Sequence, residues 1–180
     1  SGIPFEIGLI RNHYIGRTFI HPSQVTRDAR VRIKFNPVRG VLEGKRIVVV
    51  EDSIVRGTTF KKLTHLLRKA GAREIHLRVS SPPIVAPCFY GMDFPTYEEL
   101  MAASRSVEEI RKFMGVDTLG YLSLDGLRKS VPNGTTDCCV ACFNGDHPTH
   151  IPPHLKKSCL EDAVAPNAHI IDAHSLRYKV

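Results

Sequence analysis

From residue 47 onward, apolar positions fall into alternating strand-like and helix-like blocks. Ile47-Val48-Val49-Val50 is a continuous β-branched run that ends in two adjacent acids, Glu51 and Asp52. Such a run reads as a strand buried in a parallel sheet. The period then changes. Leu63, Leu66, Leu67 and Ala70 recur at helical spacing and predict a helix over Phe60 to Ala70. Thr58 or Thr59 suits its N-cap, and Gly71 suits the position just past its end. Ile75 to Val79 reads as the next strand, stopped by Ser80-Ser81-Pro82-Pro83. Strand, helix and strand in this order make a βαβ unit, hence a parallel sheet.

Two capping boxes follow, Thr96-Tyr97-Glu98-Glu99 and Ser106-Val107-Glu108-Glu109. Gly115 closes the second helix, Leu119 to Leu122 suits a short strand, and Leu124 to Val131 a short helix. Earlier, residues 3–20 carry strand formers interrupted near Asn12-His13 and at Gly16. Residues 21–36 are polar and basic, as in a mobile loop. After Pro132 periodicity fades, and Gly, Asn, Thr, His, Pro and Cys dominate to about Cys159. The fold expected is α/β, a parallel sheet flanked by helices, with an irregular Cys-containing C-terminal tail. The division falls between 1–131 and 132–180.

The segment 51–59 carries the most chemistry. A strand lifts two acids to the sheet's carboxyl edge, a loop of small and hydroxyl residues turns its N–H groups inward, and a helix N-terminus follows. That order suits a phosphate dianion, with the acids left for ribose hydroxyls, a divalent metal or both. A nucleoside-triphosphate loop needs G-x-x-x-x-G-K-[ST] and a dinucleotide fingerprint needs G-x-G-x-x-G; neither run is present. A buried strand ending in a solvated acidic turn is the plain alternative. Arg56-Gly57-Thr58-Thr59 directly before a helix favours the phosphate site.

Bulk properties narrow the field. The chain has 180 residues, 42% hydrophobic and 24% charged, ordinary for a globular protein with one real core. No apolar run approaches the ~20 residues that span a bilayer. Ser1-Gly2-Ile3-Pro4-Phe5 lacks signal-peptide regions and an initiator Met, so the chain is expected to be processed or part of something longer. Net charge is +7, and basic residues crowd the first 46 positions. Because no nucleic-acid-binding motif accompanies them, a small polyanionic substrate is the expected partner rather than nucleic acid.

Five cysteines, Cys88, Cys138, Cys139, Cys142 and Cys159, are an odd number. That argues against a disulfide scaffold. Cys139-Val140-Ala141-Cys142 is a C-x-x-C, and a turn brings its thiols to one centre. Zinc, an iron–sulfur cluster, a redox dithiol and unligated thiols all remain open on that spacing.

Glu51-Asp52-Ser53-Ile54-Val55-Arg56-Gly57-Thr58-Thr59 resembles the phosphoribosylpyrophosphate (PRPP) signature of type I phosphoribosyltransferases, in the form of the glutamine PRPP amidotransferase family. That family usually has Asp-Asp where this chain has Glu51-Asp52, which keeps the charge and lengthens one arm by a methylene. The resemblance covers residues 2 to about 145, and 146–180 match nothing. It implies a partial phosphoribosyltransferase domain over 1–131, with a flap at about 10–37 closing over PRPP. Glu51 and Asp52 would take Mg²⁺ and ribose hydroxyls. Ser53, Ile54, Val55, Arg56, Gly57, Thr58 and Thr59 would hold the 5′-phosphate, largely through N–H groups and the two threonine hydroxyls.

The surroundings of Cys88 and of Cys139-Val140-Ala141-Cys142 resemble three ligand positions of the family's iron–sulfur class. They imply a structural [4Fe–4S] cluster whose fourth cysteine lies before Ser1; Cys138 and Cys159 receive no role. The implied reaction is displacement of pyrophosphate from PRPP by ammonia, giving 5-phosphoribosylamine, the first step of purine biosynthesis. It needs no general base, so no catalytic residue is assigned. An upstream glutaminase domain would supply the ammonia. The chain would thus be a C-terminal segment, inactive alone, of a homo-oligomeric cytoplasmic enzyme, or an organellar one in a eukaryote. A PRPP-dependent nucleobase salvage transferase and a non-catalytic PRPP-sensing regulator are the alternatives.

Overall fold

The computed structural model describes residues 2–12, 35–92, 94, 96–131 and 138–152. Its centre is a three-stranded parallel sheet in the order β3-β4-β5, built from Arg46–Glu51, Glu74–Val79 and Thr118–Tyr121. The register sets Val49 opposite Leu77, and Leu77 opposite Leu119. A separate antiparallel pair, β1 (Leu9–Arg11) and β2 (Phe35–Pro37), precedes it and leads into a four-residue helix, α1 (Arg39–Leu42). The flap expected over 10–37 lies outside the described residues from 13 to 34.

Helix α2 (Thr58–Lys69) crosses from β3 to β4 and completes the expected βαβ unit. Its apolar stripe, Phe60, Leu63 and Leu67, joins Ile75, Leu77 and Val79 of β4 in one core. Helix α4 (Val107–Met114) adds Ile110 and Met114 to it, after the short helix α3 (Met101–Ser104) adds Met101. Burying each such side chain contributes about 1.5–3 kcal/mol. Asp117, at the start of β5, ties three elements together. Its Oδ2 accepts from the Ile75 N–H and from Arg68 Nη2, both at 2.6 Å. The Ile75 N–H first, then the Arg68 guanidinium, hold this carboxyl below its ordinary range.

Where the structure departs from sequence expectation, backbone geometry and packing supply the reasons. The run Ile47–Val50 reads as a strand buried on both faces, yet β3 alternates: Val48 is 43% and Val50 70% exposed. Among the described residues, α2 and α4 cover only the face carrying Ile47, Val49, Ile75 and Leu77. Helix α2 starts two residues before Phe60 and is capped by neither Thr58 nor Thr59. Gly57, at φ 66°, occupies the N-cap with no side-chain bond. Of the two capping boxes, only that of Ser106 and Glu109 forms, each reaching the other's backbone N–H. Thr96 precedes only a 3₁₀ turn, Tyr97–Glu99, without capping it. The expected C-terminal glycines do sit past their helices, at φ 96° for Gly71 and 70° for Gly115. Helix α5 (Leu124–Ser130) is capped by Ser123, whose hydroxyl accepts from the Gly126 N–H.

The described part of the tail contains one helical turn, α6 (Ala141–Asn144). It is tied to residues 85–90 by polar contacts more than by a core. The Val85 and Ala86 N–H groups donate to the Cys142 carbonyl at 2.9 and 3.1 Å. Tyr90 Oη and Thr149 Oγ1 are 2.8 Å apart. Among the described residues, no helix is long and apolar enough to cross a membrane.

Candidate phosphate and cysteine sites

The acid pair stands where β3 leaves the sheet. Glu51 points to the core face and is half-buried, while Asp52 is exposed. Burial, and then the neighbouring Asp52 charge, push the Glu51 carboxyl up from its ordinary range. The pair is held from β4: the Ser80 N–H donates to the Glu51 carbonyl at 2.9 Å, and Ser80 Oγ reaches the same carbonyl at 3.2 Å. Ser53 Oγ donates to Asp52 Oδ1 at 2.8 Å.

The rest of the loop is fixed residue by residue. Ile54 is only 4% exposed and its side chain belongs to the core, so the N–H is what it can offer a ligand. The Val55 carbonyl accepts from the Met101 N–H at 3.0 Å. Arg56 turns to Glu99, with Nε and Nη2 at 3.2 and 2.9 Å from its two carboxylate oxygens. Gly57 takes the left-handed conformation that glycine alone adopts without strain, and its carbonyl accepts the first helical bond, from Lys61. Thr58 and Thr59 open α2, exposed and half-buried respectively. The first N–H groups of a helix have no partner within it, and the first turn of α2 contains no acid to neutralise them. The nine residues singled out in sequence form one continuous loop from the end of β3 to the first turn of α2, with the acids at one end and the positive helix end at the other. An open cavity of about 420 Å³ lies on the sheet face that α2 and α4 leave uncovered among the described residues; Val50, Arg78, Ser80, Gly120 and Leu122 are in its lining, and no residue of 51–59 is. Ser80, Glu99 and Met101 were not legible as site residues, because each reaches the loop across 28 or more positions of chain.

The second site gathers three of the five cysteines. The Val85 and Ala86 bonds to Cys142 bring Cys88 beside the C-x-x-C turn. Burial, and then the proximity of the Cys88 and Cys139 thiols, push the pKa of the Cys142 thiol above its ordinary value. The Tyr90 N–H points at Cys88 Sγ from 3.4 Å. His147 packs edge-on against Phe89 and bonds the Pro87 carbonyl at 3.2 Å, tying the segment after α6 to the residues around Cys88. Among the described residues no three His, Cys, Asp or Glu side chains converge tightly enough for a single metal ion. A four-iron cluster spreads its cysteine sulfurs more widely than one ion does, and three neighbouring soft thiols suit it in chemistry. Cys138 is exposed, and Cys159 lies outside the described residues.

A parallel sheet that delivers paired acids into a glycine-hinged loop at a helix N-terminus defines the phosphoribosyltransferase class. No protein-family model matches the chain. Individual proteins do. Amidophosphoribosyltransferase 1, chloroplastic, of Arabidopsis thaliana is 60% identical over 148 residues, 82% of this chain and 26% of the relative. Amidophosphoribosyltransferase of Bacillus subtilis is 54% identical over 169 residues, 89% of this chain and 36% of the relative. The solved glutamine PRPP amidotransferase from B. subtilis complexed with ADP and GMP superposes with a TM-score of 0.73 at 55% identity, covering 85% of this chain and 34% of that one. A solved allosteric regulatory enzyme of purine biosynthesis gives the same TM-score at 54% identity, covering 86% of this chain and 34% of that one. The chain belongs to the amidophosphoribosyltransferase family, and it spans about a quarter to a third of the length of these relatives.

Proposed function

We propose that this chain forms the PRPP-binding part of an enzyme that transfers glutamine-derived ammonia to PRPP. The observation that carries the reading is the 51–59 cradle, with its acid pair and its unneutralised helix end. Ammonia attacks C1 of PRPP, the C1–O bond to pyrophosphate breaks, the leaving group departs with the bonding electrons, and the new ammonium loses a proton to give phosphoribosylamine. The N–H groups of residues 53–59 and the Thr58 and Thr59 hydroxyls hold the 5′-phosphate, which fixes C1 relative to the attacking nitrogen. Glu51 and Asp52 take the ribose hydroxyls and would hold Mg²⁺, which supplies charge neutralisation for the departing pyrophosphate. The upward push on the Glu51 carboxyl, from burial first and then from the Asp52 charge, supports this role, because a cation between the two carboxylates would offset both.

Cys88, Cys139 and Cys142 would give three thiolates to a structural [4Fe–4S] cluster, the fourth coming from the part of the relatives that this chain does not span. The glutaminase domain that feeds the site belongs to the same unspanned part, and the assembly is a homo-oligomer in the cytoplasm or, as with plant relatives, a plastid. In the intact protein, Asp52→Asn and Thr58→Val are each expected to abolish phosphoribosylamine formation while glutamine hydrolysis stays detectable. Normal phosphoribosylamine output from Asp52→Asn would remove the site. Anaerobic iron and sulfide analysis is expected to give about four irons per chain. Zinc alone, or no metal, would remove the cluster.

A further inference from the structure

Arg56 lies inside the phosphate cradle, yet its guanidinium is committed elsewhere. It meets Glu99 in a two-point fork, Nε to Oε1 at 3.2 Å and Nη2 to Oε2 at 2.9 Å. Such a fork fixes direction as well as distance. Glu99 itself stands on an anchored segment. Leu100 and Met101, which follow it, are 0% and 7% exposed, and its N–H is bonded to the Thr96 carbonyl. The Met101 N–H holds the Val55 carbonyl, and the methyl ends of Met101 and Met114 close over the Cα of Gly57. The 97–101 segment thus buttresses residues 55, 56 and 57 in succession. The adjacent Glu98 is bonded to Thr96, so it does not take over the fork.

We infer that Glu99 is a positioning residue for ligand binding at the 51–59 loop: it holds the Arg56 side chain out of the cradle and so keeps the loop N–H groups aimed at a phosphate. The inference rests on the reading of this loop as the PRPP site. Without Glu99 the guanidinium is a loose cation two positions from Ile54 and four from Asp52, free to fold onto the acid pair or into the phosphate's place. Both Arg56 and Glu99 side chains are partly exposed, at 42% and 48%. A pair so placed adds little to global stability, so its effect falls on binding.

The test is a charge-exchange cycle in the intact protein, with PRPP in the presence of Mg²⁺ as the titrated ligand and a melting curve beside each titration. Wild type is expected to bind and Asp52→Asn is not; equal binding by the two would overturn the loop reading, and the inference with it. Given that difference, Glu99→Gln and Arg56→Glu are each expected to weaken PRPP binding roughly five- to tenfold with the melting temperature unchanged, in the range of couplings between contacting residues. The double exchange Arg56→Glu with Glu99→Arg is expected to return affinity to within about twofold of wild type. If the double exchange binds as weakly as Arg56→Glu alone, Arg56 touches the ligand itself and the positioning role is overturned. Wild-type affinity in Glu99→Gln overturns it too, as does a loss of affinity that only tracks a lowered melting temperature.

Discussion

Replacing Gly57 with alanine tests how the phosphate loop is held. Two costs add at this position. Gly57 has φ 66°, where an L-residue is strained by about 1–2 kcal/mol. A Cβ here also lies 2.8 Å from Met101 Cε and 2.8 Å from Met114 Cε. Overpacking of this kind costs about 1–3 kcal/mol, and the flexible methionine ends keep it from the top of that range. The stiffer unfolded chain of alanine returns a few tenths. The sum is about 3 kcal/mol. Gly115→Ala is the control: its φ is 70°, but its nearest neighbour, Thr64 Cγ2, is 3.9 Å from the new atom. It carries the backbone cost alone, about 1 kcal/mol. Amide exchange of the 60–69 peptide in the intact protein reads both, because these amides exchange when α2 opens. At 1.36 kcal/mol per tenfold, Gly57→Ala is expected to speed exchange roughly 150-fold and Gly115→Ala roughly fivefold. Equal acceleration by the two would refute the close approach of Met101 and Met114 to the loop.

Two further predictions concern pH. The Glu51 carboxyl is raised in the folded protein by burial and by Asp52, so its ionisation opposes folding. Below the ordinary carboxylate value of 4.5 it is protonated in both states and costs nothing; the cost appears as pH rises through the raised folded value. Glu51→Gln should therefore raise the melting temperature at pH 7, with the gain vanishing near pH 4, while PRPP-dependent activity is lost; a lower melting temperature at pH 7 would contradict it. Asp117 behaves oppositely. Its carboxyl is lowered by the Ile75 N–H and Arg68, so its contribution is present above the ordinary value of 3.8 and is lost as pH falls through the folded value. Asp117→Asn should lower the melting temperature at pH 7, with the difference from wild type shrinking toward pH 2. A pH-independent difference would argue that the side chain acts through shape alone.

What the sequence determined by itself is local. The acid pair, the loop and α2 are contiguous, so the backbone alone puts Glu51 through Thr59 in one strand-to-helix loop, and 3.6-residue spacing placed Leu63 and Leu67 toward the core. The capping box of Ser106 and Glu109 was legible for the same reason, since both partners lie within one helical turn. Tertiary structure decided the rest, because each remaining feature depends on atoms distant in sequence. Thr96 carries the same box pattern as Ser106, but Leu100 and Met101 are drawn into the core and leave only a 3₁₀ turn. Thr58 and Thr59 looked like caps, but the contact of Gly57 with Met101 and Met114 requires a residue without a side chain at that point. Val48 and Val50 read as buried, yet burial is a property of neighbours, and among the described residues only one face of the sheet is covered. The meeting of Cys88 with Cys142 and the grip of Glu99 on Arg56 bridge 54 and 43 positions, distances over which no spacing rule operates and only packing chooses the partner.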